Sequence, residues 1–151
     1  MMSLARAVHV LGVIWWVGGV AMVTASILPA LKNAGLSDDE RLRVFRTIRG
    51  RFVWQARAAV LLVGVSGAYL LAYLGGFARL RMGPAGWWID LMVLTWAVFA
   101  LILFVLEPLG LMRRTGIARK PRAFFLMHVF LLTLALVTAG SGVIWAHGGI
   151  Y

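Results

Sequence analysis

The sequence predicts an all-α integral membrane protein, a four-helix antiparallel bundle in one domain, on three observations. Apolar residues make up 62% of its 151 residues and charged residues only 13%, far from the composition of a soluble globular chain. The apolar residues gather into four runs, 5–31, 53–76, 87–107 and 123–146, each with the ~20 residues needed to cross ~30 Å of hydrocarbon at ~1.5 Å per residue. The basic residues gather in the short segments between those runs, almost all at one end of the expected bundle.

Taken in order, the first run is too long for the apolar core of a secretory signal. It carries adjacent tryptophans, Trp15 and Trp16, and no small-residue cleavage site follows, so a retained helix is expected. In the segment that follows, Ser37 precedes Asp38, Asp39 and Glu40, which reads as an N-cap with a capping box and acids in the first turn. Leu42, Phe45 and Ile48 then recur at helical spacing among arginines. A short amphipathic helix over 38–49, lying on the inner leaflet against anionic headgroups, is the expectation. The segment before the fourth run is a basic turn bounded by Pro108 and Pro121. Trp87, Trp88, Trp145, Tyr69 and Tyr73 read as an aromatic belt.

With a formal net charge of +10, nucleic acid is one partner to weigh, but the position of the charges explains them as topology signals instead. Lys32, Arg41, Arg43, Arg46, Arg49, Arg51, Arg57, Arg113, Arg114, Arg119, Lys120 and Arg122 fall on one side of the membrane, and Arg6, Arg79 and Arg81 on the other. The first side is therefore expected to be cytoplasmic, with both termini outside. The chain has no cysteine, which excludes disulfides, thiolate metal sites and Fe–S clusters. No nucleophile–base pair, phosphate loop or acid dyad is present, so any reaction must be redox and cofactor-borne.

Three histidines stand in or beside the apolar runs, where an ionisable ring usually faces the bundle interior and has a task. Near the outer face, His9, Gly12, Trp16, Gly19 and Val23 share one helical stripe. On the fourth run His147, Val143 or Ile144, and Gly140 form a comparable one. His9 lies roughly 6 Å and His147 roughly 0 Å below the outer boundary, by rise per residue. Two imidazoles at that offset are able to hold one haem iron, with the glycines admitting the ring. Alternatively the glycines serve close helix packing and His147 is an interfacial residue. Asp90, at the start of the third run, either orients a ligating histidine or caps its helix and pairs with Arg79 or Arg81.

A second candidate site lies near the inner face. His128, roughly 7 Å from the inner boundary, is level with Arg57, and Gln55 and Thr24 lie near in depth. Arg57 either binds a propionate, a quinone oxygen or a phosphate, or snorkels to the headgroups; its closeness to a helix end favours snorkelling. Met127 and His128, with Met22 from the first helix, are alternative copper ligands, although adjacent residues on a helix point about 100° apart. Gly64–Gly67 and Gly140–Gly142 suit helix contacts within one bundle or between chains, as in a homo-oligomer or a larger complex.

The stretch HVLGVIWWVGG at 9–19 with Pro29, GRFVWQARAAVLLVGVSGAYLL at 50–71, Gly75–Gly76, Pro108 with Arg113–Arg114, and the closing run to Gly148–Tyr151 resembles the copper-resistance D (CopD)-like family of small bacterial membrane proteins. That resemblance covers nearly the whole chain as a pattern and implies a multi-pass protein of the bacterial inner membrane linked to copper uptake or tolerance. The early His9 with its tryptophan, and Arg49–Arg51, are also similar to the HemJ-type protoporphyrinogen oxidases, which implies haem b bound through His9. Asp90 stands where that family has a lysine, and the proline expected in the second helix is absent. The leading expectation is a b-type haem protein carrying electrons near the periplasmic face, with a redox partner or quinone. Copper binding or transport and a non-catalytic subunit of a larger membrane complex are the alternatives.

Overall fold

The computed structural model describes residues 1–73, 75, 86–111 and 121–146, without the side chains of Asp38, Leu42, Pro121 and Ala146. It consists of four helices, α1 (Met2–Asn33), α2 (Asp38–Tyr73), α3 (Trp87–Leu106) and α4 (Pro121–Ala146), with no strand among the described residues. All four are long and apolar enough to cross a membrane. Contacts between helices run in opposite register at each step. His9 meets Ser66 while Gly19 meets Phe52; Gly64 meets Trp96 while Arg57 meets Glu107; Thr95 meets Thr138 while Trp87 meets Trp145. Each consecutive pair is therefore antiparallel, and α1 packing on α4 closes the ring. The bundle has a His9 end and an Arg49 end.

Two prolines shape the helices. A proline lacks the N–H of an ordinary helical turn, and its ring crowds the carbonyl four residues back. In α1 the turn before Pro29 widens into a π turn, Val23–Ile27, where the Leu28 N–H donates to the Val23 carbonyl. In α3 the turn before Pro108 does the same over Ile102–Leu106, and the Glu107 N–H donates to the Ile102 carbonyl at 2.9 Å. A wider turn relieves the crowding and is often found at functional positions. Past Pro108, Gly110 takes a left-handed φ of 64°, which ends the helix.

The separate amphipathic helix expected over 38–49 is instead the first part of α2, continuous through Gly50 to Tyr73. At 36 residues α2 is roughly 54 Å long by rise per residue, well beyond a ~30 Å hydrocarbon layer. Arginine is a good helix former, so nothing in 41–51 breaks the helix. Its start follows the expected capping box. The Ser37 N–H and hydroxyl donate to the Glu40 carboxylate at 3.0 and 2.6 Å, and the Glu40 N–H donates back to the Ser37 hydroxyl at 3.4 Å. Arg41 donates to the Leu31 carbonyl at 3.1 Å, tying the α1–α2 turn to the end of α1.

Burial is inverted relative to a soluble bundle. Val65, Phe130 and Leu11 are 72%, 65% and 64% exposed, whereas Thr24, Ser66, Thr95, Thr138 and Ser141 are buried. Small residues let the helices approach. A methyl group at Gly64 would lie 2.7 Å from the Trp96 indole nitrogen, and one at Gly142 would collide with the Met92 methyl. Trp96 is held there by donating its indole N–H to the Val60 carbonyl at 2.9 Å.

A candidate site at the Arg49 end

At the Arg49 end the four helices border a partly open cavity of about 120 Å³, lined by side chains from all of them. Its walls are apolar and aromatic: Phe45, Phe52, Phe99 and Phe124 among them, with Trp16 from α1 and Met127 and His128 from α4. Trp16 packs edge-on against Phe99 with ring centroids 4.6 Å apart, and Phe45 packs edge-on against Phe124 at 5.3 Å. The second contact docks the projecting part of α2 onto α4.

Three polar features border the cavity. First, Trp16 is 6% exposed, and its indole N–H has no acceptor among the described residues. Native proteins rarely leave a buried donor so, because the lost water bond is not replaced. Second, His128 has its Nδ1 3.0 Å from the Phe124 carbonyl one turn earlier, and its ring stacks obliquely on Phe124 at 4.3 Å. A carbonyl only accepts, so in the neutral ring Nδ1 carries the hydrogen and Nε2 the lone pair.

The third is an ionic cluster. Glu107 accepts from Arg49 at 2.6 Å through Oε1 and from Arg57 at 2.8 Å through Oε2, and the three side chains are 20%, 26% and 19% exposed in that order. Arg57 also donates from Nε to the Leu103 carbonyl at 3.1 Å. The π turn accounts for that bond. The Glu107 N–H, the usual α-helical donor to Leu103, goes to Ile102 instead, and the next residue, Pro108, has no N–H. The carbonyl so released takes the guanidinium. Arg57 also lies over the Trp54 and Phe104 rings, at 5.5 and 5.9 Å.

The snorkelling expected of Arg57 is thus replaced by an inward ion pair. Of the other residues assigned to this level, Thr24 is buried and donates to its own helix, to the Val20 carbonyl at 2.7 Å. Gln55 is exposed and takes no part in the cavity wall. Met127 and His128 both line the cavity, but Met22 is 63% exposed and does not, so the three expected copper ligands are not assembled. Among the described residues no group of three histidine or carboxylate side chains is placed to hold a metal ion. Glu107 has no assigned role in the sequence, and Arg49 enters there only as a topology charge and in the Arg49–Arg51 resemblance. The available signal was a lone acid at the end of an apolar run, opposite an arginine inside another.

At the other end His9 sits half-buried with its Nδ1 3.0 Å from the Ser66 hydroxyl. The Ser66 hydrogen goes to the Leu62 carbonyl at 2.6 Å, so His9 Nδ1–H is the donor and Nε2 keeps its lone pair. Its ring rests against Gly67, where an added methyl group would lie 3.1 Å from Cε1. The glycine stripe expected to receive a macrocycle is filled by α2: a methyl at Gly12 would lie 3.0 Å from Val63, and one at Gly19 3.0 Å from Phe52. A haem laid on that stripe does not fit without displacing these side chains. Trp16, placed with the same stripe from the sequence, belongs to the cavity at the Arg49 end. Gly140 is exposed with nothing within 4 Å of an added methyl, and Asp90 is exposed in the first turn of α3, where the helix dipole favours it. His147, Arg79 and Arg81 lie outside the described residues.

Comparison of the chain with family models, with curated proteins and with solved structures finds no match.

Proposed function

We propose that this chain is a multi-pass protein of the bacterial inner membrane that binds a small lipophilic molecule bearing a flat ring in the cavity between Trp16 and His128. The aromatic and apolar wall contributed by all four helices carries this reading, because a concave apolar space between helices is where a lipophilic ring is held. Aromatic walls favour a ring over a flexible chain. An apolar cavity of ~150 Å³ holds a benzene, so about 120 Å³ suits a single ring and not a macrocycle. The excess of arginine and lysine at this end supports a cytoplasmic Arg49 end with both termini outside. The ligand would then be drawn from the inner leaflet.

The test is binding of a one-ring apolar probe, toluene, to the full chain in lipid nanodiscs, read by thermal stabilisation and by ring-current shifts of Met127. Ala56→Leu, which fills the cavity from α2, is expected to abolish both signals. Equal stabilisation of wild type and the filled variant would remove the cavity as the site.

A second reading keeps His9 as an axial ligand of haem b in electron transfer. The Ser66 contact favours it by orienting the ring with Nε2 as the free donor atom, as partners of ligating histidines do. Any such haem would have to sit off the filled Gly12–Gly19 stripe. Protein purified after expression with added haem should show a Soret band that shifts with dithionite and is lost in His9→Ala. A colourless wild type would rule this reading out.

A further inference from the structure

The outer face of α2 changes character at Gly50, and the change bears on what covers that face; this step rests on the membrane reading above and not on the cavity. The first part of α2 does not lie free. Phe45 packs on Phe124 of α4, Ile48 and Arg49 line the cavity, and Arg41 is tied to the Leu31 carbonyl, so the bundle takes up the apolar side of this segment. The opposite side points outward. Arg43, Arg46, Gly50, Trp54, Leu61 and Val65 follow one another at steps of three, four or seven residues and form one stripe. All six are exposed, with Trp54, Leu61 and Val65 at 71%, 53% and 72%. Arg51, also exposed, flanks the stripe beside Gly50. Arg43, Arg46 and Arg51 have no carboxylate partner among the described residues.

The stripe is cationic on one side of Gly50 and hydrocarbon on the other. Gly50 itself leaves a gap, with nothing within 4 Å of an added methyl group. Trp54 lies roughly 6 Å further along by rise per residue, and the Arg57 guanidinium sits over its ring at 5.5 Å. An exposed tryptophan marks the edge of the apolar layer, which puts Gly50 at headgroup level. A free phosphate or an acidic protein segment would engage the arginines alone. An amphiphile with an anionic head and an apolar tail matches both halves in their order along the helix. We propose that this face of α2 binds one anionic phospholipid, its phosphate over Gly50 among Arg43, Arg46 and Arg51, and an acyl chain along Trp54, Leu61 and Val65. A zwitterionic lipid brings its own cation to the arginines, so the anionic headgroup is preferred.

The experiment reconstitutes the full chain in phosphatidylcholine vesicles holding a small fraction of phosphatidylglycerol or of phosphatidylcholine brominated on an acyl chain, and reads the quenching of tryptophan fluorescence. In wild type the brominated phosphatidylglycerol is expected to associate about fivefold more strongly than the brominated phosphatidylcholine, the worth of a basic side chain beside an anionic headgroup. Replacing Arg43, Arg46 and Arg51 together by glutamine should bring the preference below about twofold, as should high salt, without changing the phosphatidylcholine signal. Trp54→Phe should remove the excess quenching by phosphatidylglycerol, because that indole reports the site. Arg122→Gln, exposed at the same end on α4, should keep the preference. Thermal unfolding checks that each variant folds, and Arg46→Gln alone serves if the combined variant does not. A preference that survives the combined variant, or that Arg122→Gln reduces as much, would overturn the assignment. So would its loss to inorganic phosphate at constant ionic strength, which would mark a site for a free anion. If the two brominated lipids quench wild type equally, the site fails and the membrane reading stands. If neither quenches, the membrane reading falls with it.

Discussion

Replacing Glu107 with glutamine tests the ionic cluster most directly. The substitution keeps size and shape but leaves two guanidinium groups facing a neutral amide. At a charge separation of about 4 Å and an effective dielectric of about 20, each Arg–Glu pair is worth about 4 kcal/mol before costs. The mutual repulsion of Arg49 and Arg57 and the desolvation of all three groups offset much of the sum. Breaking a fully buried pair by removing one partner costs about 3–5 kcal/mol, whereas an exposed pair is worth about 0–1. With the three side chains between 19% and 26% exposed, the lower edge of the buried range applies, about 3 kcal/mol. For a chain of this size that corresponds to a fall in Tm of roughly 6–12 °C. Thermal unfolding in detergent micelles, followed by circular dichroism, measures it. A double-mutant cycle with Arg57→Met should show a coupling above about 1 kcal/mol. A Tm within 2 °C of wild type, or additive single effects, would mean that the cluster behaves as a screened surface pair and does not hold α2 against α3.

Other expectations follow from single contacts. Gly64→Ala forces the Trp96 indole away from α2 and breaks its bond to the Val60 carbonyl, costing about 1–3 kcal/mol by thermal unfolding, while Gly18→Ala, with open space around it, stays within about 0.5. The Thr138 hydrogen goes to the Leu134 carbonyl, so Thr95 is the donor in the 2.8 Å bond between the two hydroxyls. Thr138→Val, which strands that donor, should therefore cost more than Thr95→Val, and the double variant less than the sum, within the ~0.6–1.7 kcal/mol typical of hydrogen bonds between membrane helices. Pro108→Ala supplies an N–H within reach of the Leu103 carbonyl; Arg57→Met should then cost about 1 kcal/mol less in that background than in wild type. The ¹⁵N shifts of His9 should show the Nδ1–H tautomer in wild type and a perturbed Nδ1 in Ser66→Ala; an Nε2–H ring in wild type would refute the assignment of Nδ1 as donor.

The four helices were legible because each is a run long and apolar enough to cross a membrane, a count that no loop meets, and the capping box was legible because Ser37 and Glu40 carry it within four residues. The continuity of α2 was not, since hydropathy falls where a helix leaves the apolar layer just as it falls where a helix stops, and the arginines of 41–51 are compatible with both. His9, Gly12, Trp16 and Gly19 share one face of α1, as their spacing requires. Its neighbours were beyond reach: whether a glycine meets a cofactor or Val63 depends on the rotation of α2, and a uniformly apolar helix encodes that rotation weakly. The pairing of Arg57 escaped for a different reason. Rise per residue puts Arg57 level with His128, but Glu107 stands in the sequence as the end of an apolar run, and nothing in its position marks it as a partner of Arg57.

The cluster and the cavity are linked through one proline. Pro108 opens the last turn of α3, the opened turn releases the Leu103 carbonyl, and that carbonyl with the Glu107 carboxylate draws Arg57 inward when its length would allow it to reach the headgroups. Arg49 is held on the second carboxylate oxygen and contributes to the cavity wall. The same turn thus sets two properties that would otherwise compete. It pins α2 to α3 at the end where α2 runs on past its apolar stretch, and it leaves a positive but internally paired boundary beside an aromatic chamber. A chamber bounded by free guanidinium groups would select carboxylates and phosphates from the headgroup layer. One bounded by guanidinium groups already held on Glu107 offers them less freely to an anion, and its wall is otherwise apolar and aromatic.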